Sequence, residues 1–282
     1  MRFLILFLAI SSLPISVVQA KLNIAKHEYK VQLNPASFIG NISAITDKAN
    51  DFLSALSKQT DGHMQILQPF DFDSQQDIIY WDVAGDCRLK EHNLILRSRF
   101  QPHKNRQEVT LKLRTQNISE INQDELFTSA HKFGHKLELD VLPQNQFAYS
   151  LSVKQKVLAQ WQMSDNQVLD QMFPTLRQSL QISDKSLEKV NGLSMTERKL
   201  TEAKLLMNGF VYKDVTLSLW YLKNLQQPVL VEFSIAVPSQ QQQPLPEASK
   251  MINTISMMSS WAAEQSLTKT NWVYLYQADF CQ

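Results

Sequence analysis

Charged side chains recur at every second position along several segments of the chain, which is the spacing of one face of a β-strand. Nine of them are basic and five are acidic: Lys26, Lys30, Arg97, Arg99, Lys112, Arg114, Lys136, Lys154, Lys156, Glu28, Glu108, Glu138, Asp140 and Glu232. Lysine and arginine bind phosphate oxygens, and carboxylate oxygens are the ligands of divalent cations such as Mg²⁺. Gathered in one channel, these residues would suit a phosphate chain and a divalent cation.

The same alternation has a simpler interpretation. If the charged face lies against bulk water, the strands form an ordinary sheet with one solvated and one buried face. The spacing alone favours this solvated arrangement, because it contains nothing that closes the sheet into a channel.

The elements that must position these residues are mainly strands. Alternating segments cover residues 26–31, 78–100 (two strands), 108–114, 136–141, 151–157, 216–220 and 232–236. Apolar residues have helical spacing at 42–56, where Asn41 is available as an N-cap, and again at 165–190 and 248–261. The pattern predicts an antiparallel sheet or barrel with a few helices.

The first twenty residues predict a cleaved secretory signal. Arg2 is basic, residues 3–18 are mostly apolar, and Val18-Gln-Ala20 is a sequence that signal peptidase accepts. An uncleaved anchor is the alternative, but the apolar run is short and interrupted, whereas a membrane-spanning helix needs about 20 apolar residues. We therefore expect a signal at 1–20, one mature domain at 21–282 without a membrane span, and export to the periplasm or the medium.

Charge, glycine content and cysteines narrow the classes of function. Removing Arg2 from the 28 basic residues leaves 27, equal to the 27 acidic residues, and a neutral chain is unlike a nucleic-acid binder. The six glycines form no GxGxxG or Walker loop and no GxSxG elbow, which excludes the enzyme classes built on them. Cys87 and Cys281 form either one disulfide or two unpaired thiols, and the sequence leaves both open.

Several of these segments resemble the CYTH, or triphosphate tunnel metalloenzyme, family. Residues 80–82 read Tyr-Trp-Asp, like the family's YxDT turn, residues 89–99 approach an Arg-x-Arg strand through leucines, and residues 109–112 read Val-Thr-Leu-Lys. Segments 137–140, 231–234 and 267–272 resemble later parts of the family's fold, in the same order. The resemblance extends over nearly the whole mature chain.

This resemblance implies an α+β fold in which a mainly antiparallel β-barrel encloses a tunnel and helices pack outside. It implies that a small phosphate-containing polyanion is bound by Lys30, Arg97, Arg99, Lys112, Arg114, Lys154 and Lys156. It implies that Mg²⁺ or Mn²⁺ is held by Glu28, Glu138, Asp140 and Glu232, with Glu28 and Glu232 as catalytic carboxylates. An enzyme of this kind would be a metal-dependent triphosphatase or polyphosphate phosphohydrolase.

The chain departs from the family's pattern at three positions. The first strand reads Lys26-His-Glu28-Tyr-Lys30 where the family has ExExK, so a lysine stands in place of a metal-binding carboxylate. Ser234 replaces a second acid of a late strand, and Val83 replaces the threonine of the turn. A lysine next to a divalent cation brings like charges together, which disfavours metal binding.

Three hypotheses about function follow. The first is a divergent phosphohydrolase that acts on inorganic polyphosphate or another phosphate ester outside the cytoplasm. The second is a binding protein that keeps the cationic tunnel without turnover. The third is an exported barrel that carries a lipid, in which the leucines would line the cavity and the charges would face solvent.

Overall fold

The computed structural model describes residues 23–121, 135–158, 170, 172–173, 175–223, 225–239, 245–265, 267–277 and 279–282. The predicted signal at residues 1–20 lies outside these ranges. Within them, no helix combines the length and the apolar character that crossing a membrane requires.

The described residues form strands β1 Ile24–Leu33, β2 Met64–Gln68, β3 Asp71–Asp82, β4 Leu94–Gln101, β5 Arg106–Thr115, β6 His135–Leu142, β7 Gln146–Leu158, β8 Glu188–Lys189, β9 Met195–Thr201, β10 Lys204–Met207, β11 Phe210–Tyr212, β12 Asp214–Leu222 and β13 Leu230–Pro238. The helices are α1 Ile42–Gln59, α2 Arg88–Glu91, α3 Leu176–Ser179, α4 Pro246–Ser256 and α5 Lys269–Leu275. Short 3-10 turns lie at Pro35–Phe38, Pro102–Lys104, Ile118–Glu120, Pro143–Asn145 and Val190–Gly192.

Nine of the described strands close into a barrel. Their order is β4-β5-β7-β6-β1-β13-β12-β9-β3, and β3 pairs back to β4. Neighbouring strands are antiparallel except β1 and β6, which are parallel. Strand β8 extends the edge at β3, and β2, β10 and β11 form a separate small sheet. The prediction of an α+β fold built on a mainly antiparallel barrel is confirmed.

Each barrel strand has one apolar and one polar face, as its alternation predicts. In β5, Val109 and Leu111 are fully buried in an apolar cluster outside the barrel, while Thr110 and Lys112 point into the cavity inside it. Because the apolar face of the sheet points outward, helices must cover it to exclude water. Two helical layers supply that cover.

The first layer consists of α1 and α4. Asn41 accepts a hydrogen bond from the N–H of Ala44 at 3.0 Å, which confirms the predicted N-cap of α1. Phe52 of α1 packs edge-on against Phe233 of β13, with ring centroids 5.4 Å apart. Burial of one such phenylalanine side chain contributes about 1.5–3 kcal/mol, so this layer is a major part of the hydrophobic core.

The second layer includes α3, which packs with Phe173 against the outer face of β4, β5 and β7. The predicted helix at 165–190 is only partly correct, although residues 159–169, 171 and 174 lie outside the described ranges. The helix ends at Ser179 because Gln181 adopts a left-handed backbone conformation with φ of 56°. The chain then runs on to the short strand β8.

Helix α5 lies against one end of the barrel interior. Val273 and Tyr274 pack with the inward-facing side chains of Tyr80 and Trp220. The Tyr274 hydroxyl donates a hydrogen bond of 2.7 Å to Asp82, the last residue of β3. This helix therefore contributes residues to the lining of the tunnel from one end of the barrel.

A disulfide and a carboxylate hold this end of the molecule together. Cys87 and Cys281 are joined by a disulfide, with Cα atoms 5.2 Å apart, which decides between the two alternatives that the sequence left open. Asp82 accepts hydrogen bonds from the backbone N–H groups of Val83, Leu89 and Lys90. The turn that resembles the family's YxDT motif thus anchors α2 to the barrel end where α5 docks.

Candidate functional site

The barrel encloses a cavity of about 1470 Å³, which we call the tunnel. Eleven basic and eight acidic side chains of the described residues line it, an excess of three positive charges. The basic residues are Lys26, Lys30, Lys90, Arg97, Arg99, Lys112, Arg114, Lys136, Lys154, Lys199 and Lys269, and the acidic ones are Glu28, Glu120, Glu138, Asp140, Glu197, Asp214, Glu232 and Glu264.

Most of the predicted site residues come together in this tunnel. Its lining includes the predicted phosphate-binding residues Lys30, Arg97, Arg99, Lys112, Arg114 and Lys154 and the predicted metal ligands Glu28, Glu138, Asp140 and Glu232. Lys156 is exposed and does not line the tunnel, because it lies close to the end of β7. The solvated face that the spacing alone favoured is wrong, because closure of the barrel turns the charged face inward.

Asp140, at the centre of one tunnel wall, has no solvent exposure. Its Oδ1 accepts a hydrogen bond from Lys30 Nζ at 2.8 Å, and its Oδ2 lies 3.4 Å from Arg114 Nη2. The Ser150 hydroxyl also donates to Oδ2, at 3.4 Å. A buried carboxylate is stable only with such partners, so Asp140 holds the two cations in place.

Lys26 lies between two carboxylates from neighbouring parallel strands. Its Nζ is 3.5 Å from Glu28 Oε2 and 3.4 Å from Glu138 Oε1. Lys30 Nζ is 3.1 Å from the same Glu28 oxygen, and Lys112 Nζ is 3.5 Å from Glu138 Oε2. We call the whole set the lysine–carboxylate cluster: Lys26, Glu28, Lys30, Lys112, Arg114, Lys136, Glu138 and Asp140.

The pKa values within this cluster show which charges dominate. Burial by itself raises the pKa of Glu28, but the Lys30 and Lys26 charges outweigh burial and hold the pKa well below its usual range. Burial by itself lowers the pKa of Lys26, and the Glu28 and Glu138 charges reverse that shift. Burial likewise opposes the lowered pKa of Glu138, which Lys112 and Lys26 produce. These groups are therefore ionised at neutral pH.

The predicted metal ligands do not fit a divalent cation as they are placed. Glu28, Glu138 and Asp140 already have oxygen atoms at contact distance from lysines, and Glu232 lies apart with Lys269 Nζ at 3.0 Å. Among the described residues, no group of three or more His, Cys, Asp or Glu side chains could hold a metal ion. Mg²⁺ requires a near-octahedral set of oxygen ligands, which this arrangement does not offer.

A second group of cations lies on β4 and β7, and we call Arg97, Arg99 and Lys154 the arginine group. Arg99 Nη1 and Lys154 Nζ approach the same oxygen of Glu108, at 3.7 and 3.3 Å. Arg97 forms no ion pair with the described residues. The Nε atoms of Arg97 and Arg99 are buried and have no hydrogen-bond partner among the described residues. One carboxylate thus faces three cations.

The carboxylates near the arginine group compensate its charge only in part: Glu108 pairs with Arg99 and Lys154, and Glu197 also attracts Arg99. Burial lowers the pKa of Arg99, and the charge of Arg97 lowers it further. Burial also lowers the pKa of Lys154, and the attraction of Glu108 does not restore it. An anion placed among these side chains would stabilise their charged forms, because it would supply the missing negative charge.

A charged centre that the sequence did not predict lies on β9, which only β3 separates from the arginines of β4. Glu197 of β9 is 1% exposed and accepts hydrogen bonds from Gln76 and, at 2.9 Å, from the indole N–H of Trp220. Lys199 and Lys269 Nζ lie 3.6 and 3.5 Å from its carboxylate oxygens. Glu197 thus positions two further cations in the tunnel.

The sequence contained a signal for only part of this centre. Glu197 and Lys199 are two residues apart, so the alternation of β9 was present, although its segment is short. Lys269 belongs to a segment that resembles the family, but its local sequence does not indicate that a helix residue reaches the barrel interior. Its Nζ lies 5.0 Å from the centre of the Trp220 ring.

The inward-facing side chains of the closed barrel include those of the Arg-x-Arg strand and the Thr-Leu-Lys strand. The barrel and the tunnel that the resemblance to the CYTH family implied are both present in the structure. No family model and no curated protein sequence matches it.

Solved structures with a similar backbone include three proteins of low sequence identity. One, from Hippeastrum, is described as an adenylyl cyclase with a dominant triphosphatase activity; it has 13% identity and a TM-score of 0.44, and the match covers 88% of this chain and 95% of that chain. A Bacillus halodurans protein described as an adenylate cyclase has 14% identity, a TM-score of 0.40 and coverages of 87% and 95%. A conserved hypothetical protein from Pyrococcus furiosus has 13% identity, a TM-score of 0.33 and coverages of 86% and 93%.

The lipid-carrier hypothesis required leucines inside the barrel. The structure places Leu111 and Leu151 outside, in the apolar cluster beneath α3, and it fills the tunnel wall with charges. An acyl chain in this tunnel would desolvate many charged groups without offering them hydrogen bonds. The described barrel therefore lacks the apolar interior that this third hypothesis requires, and has the inward polar face that the resemblance implied.

Proposed function

We propose that this protein binds a phosphate chain, such as tripolyphosphate, inside its tunnel. We propose that it does so outside the cytoplasm. Arg97 and Arg99 are the residues that support the proposed binding most directly, because both line the tunnel and the Nε atom of each is buried without a hydrogen-bond partner among the described residues. An arginine binds two phosphate oxygens at once, and charge-assisted hydrogen bonds of this kind are the strong ones. A small neutral ligand would leave these donors uncompensated.

The positions of the other cations favour an extended ligand over a single phosphate. Lys112 and Lys154 lie on the tunnel wall with the arginines, and Lys199 and Lys269 approach from β9 and α5. A chain of phosphates could contact these groups in succession, whereas orthophosphate could reach only a few. The tunnel volume of about 1470 Å³ exceeds the roughly 300–1,000 Å³ of ordinary ligand pockets, which leaves room for such a chain.

Titration of the purified protein with tripolyphosphate tests this proposal. We expect measurable heat and a raised melting temperature, because a ligand at a hundred times its dissociation constant adds about 2.7 kcal/mol of stability. Arg97→Gln is expected to weaken binding by about tenfold to a hundredfold, since a charge-assisted hydrogen bond contributes about 1.5–3 kcal/mol.

Arg198→Gln is the matched control. Arg198 is on the outer face of β9, where its guanidinium stacks on Tyr221 at 4.6 Å, so its loss should leave binding unchanged. Equal binding by wild type and Arg97→Gln, or no binding of tripolyphosphate at all, would contradict the proposal. Release of orthophosphate with Mg²⁺ or Mn²⁺ that Glu28→Gln abolishes would instead establish the phosphohydrolase hypothesis.

We propose further that the mature protein begins at Lys21 and works in the periplasm or the medium. The predicted signal supports this location, and so does the Cys87–Cys281 disulfide, because structural disulfides persist mainly in oxidising compartments. Cell fractionation with N-terminal sequencing is the test. Recovery from the cytoplasm with Met1 retained would refute export.

A further inference from the structure

We infer that the Lys26 ammonium group takes the place of a divalent cation, so that the tunnel selects the metal-free form of its phosphate chain. This inference rests on the proposed function and specifies the chemical form of the ligand. It depends on three observations: the position of Lys26 between two carboxylates, the saturation of those carboxylates by lysines, and the cations that face the tunnel without full compensation.

The register of the strand pairing fixes the position of Lys26 relative to the two carboxylates. In the parallel pair β1 and β6, Lys26 is opposite Glu138 and Glu28 is opposite Asp140. Lysine at position 26 therefore lies between the Glu28 and Glu138 carboxylates, at 3.5 and 3.4 Å. An ammonium group within a few ångströms of two carboxylate oxygens occupies a position that would otherwise suit a cation ligated by oxygen.

A divalent cation would have to compete with this ammonium group. Like charges a few ångströms apart repel each other, so a metal ion could enter only by displacing Lys26 from Glu28 and Glu138. Lys30 presents the same obstacle, because its Nζ contacts both Glu28 and Asp140. The chain thus supplies from its own residues the positive charge that a metal would bring.

The ligand's form follows from this charge balance. Tripolyphosphate complexed with Mg²⁺ has lost two negative charges and carries a hydrated cation, which would meet Lys26, Lys30 and Lys112. The free anion keeps its full charge for the lysines and for the arginine group. The tunnel should therefore prefer the free anion.

Two measurements on the full protein test this inference, and the first uses no phosphate. Mn²⁺ binding, followed by electron paramagnetic resonance, should be undetectable in wild type and should appear in Lys26→Glu, where a third carboxylate joins Glu28 and Glu138. Lys26→Gln removes the positive charge without adding a ligand and should bind no Mn²⁺. Lys58→Glu, at the exposed end of α1, changes the net charge equally and should also bind none.

The second measurement compares tripolyphosphate binding in EDTA and in excess Mg²⁺. Wild type should bind at least about tenfold more weakly in Mg²⁺, whereas Lys26→Glu should bind more tightly in Mg²⁺ than in EDTA. If Lys26→Glu does not fold, wild type and Lys26→Gln still decide the question. Mn²⁺ binding by wild type, or tighter binding of tripolyphosphate in Mg²⁺, would overturn this inference alone. Failure to bind tripolyphosphate in either condition would overturn the proposed function and this preference with it.

Discussion

Asp140→Asn is expected to lower the free energy of unfolding by about 3–5 kcal/mol at neutral pH, because it removes the carboxylate that pairs with Arg114 and one of the two that pair with Lys30. Asp140 is fully buried, contacts Lys30 at 2.8 Å and lies 3.4 Å from Arg114. Asparagine has nearly the same shape, so the loss would be electrostatic and not a packing defect. Urea denaturation of both proteins measures the difference.

The pH dependence of this difference has a defined sign. Burial opposes ionisation of Asp140, but Lys30 and the other cations outweigh it, so the folded-state pKa lies below the unfolded value. A carboxyl with a lowered pKa binds fewer protons in the folded state, and its contribution to stability is present above the unfolded pKa. That contribution is lost as pH falls through the folded pKa. The gap between wild type and Asp140→Asn should therefore narrow in acid.

A matched control is Asp214→Asn. Asp214 also lines the tunnel, but its side chain is exposed, so the same chemical change should alter stability by less than about 0.5 kcal/mol. A small effect of Asp140→Asn, or a gap that stays constant between neutral and acidic pH, would show that the Asp140 carboxylate does not hold the lysine–carboxylate cluster together.

Replacing Cys87 and Cys281 by serine should have a comparable effect on stability. The disulfide joins residues 194 apart, and loss of such a cross-link costs about 2–5 kcal/mol because the unfolded chain gains freedom. The bond also anchors the C-terminal segment that follows α5. We expect the double variant to unfold at lower urea concentration, and wild type to approach its behaviour in a strong reductant.

The same variant should bind tripolyphosphate more weakly, by roughly tenfold, if α5 loosens and Lys269 loses its position beside Glu197 and Glu232. Tyr274→Phe provides a comparison, because it removes a different attachment of α5, the hydrogen bond to Asp82. That variant should cost only about 1 kcal/mol. Unchanged stability of the double serine variant in urea would show that the disulfide contributes little to the fold.

Local alternation predicted the strands that carry most of the tunnel wall. In β1, Lys26, Glu28 and Lys30 share one face because side chains two apart in a strand point the same way. The same rule placed Arg97 and Arg99 together on β4. These assignments need only the period of the backbone, which is the same in an open sheet and in a barrel.

Alternation could not predict whether the charged face points into a tunnel or into solvent. The pairing of β3 with β4 closes the barrel, and the parallel pairing of β1 with β6 joins segments about a hundred residues apart. Glu197 and Lys269 were missed for a related reason. They reach the tunnel through the packing of β9 and α5, and their own segments carry little periodic signal.

The sequence by itself determined the two faces of the strands, the cations available for a phosphate chain, and the presence of a lysine at position 26. Only the tertiary structure decided that these cations converge, that Lys26 lies between Glu28 and Glu138, and that Cys87 pairs with Cys281. The physical reason is the separation along the chain of the residues that interact. Periodicity is a property of neighbouring residues, whereas charge pairing, barrel closure and a disulfide depend on contacts between residues far apart in the chain.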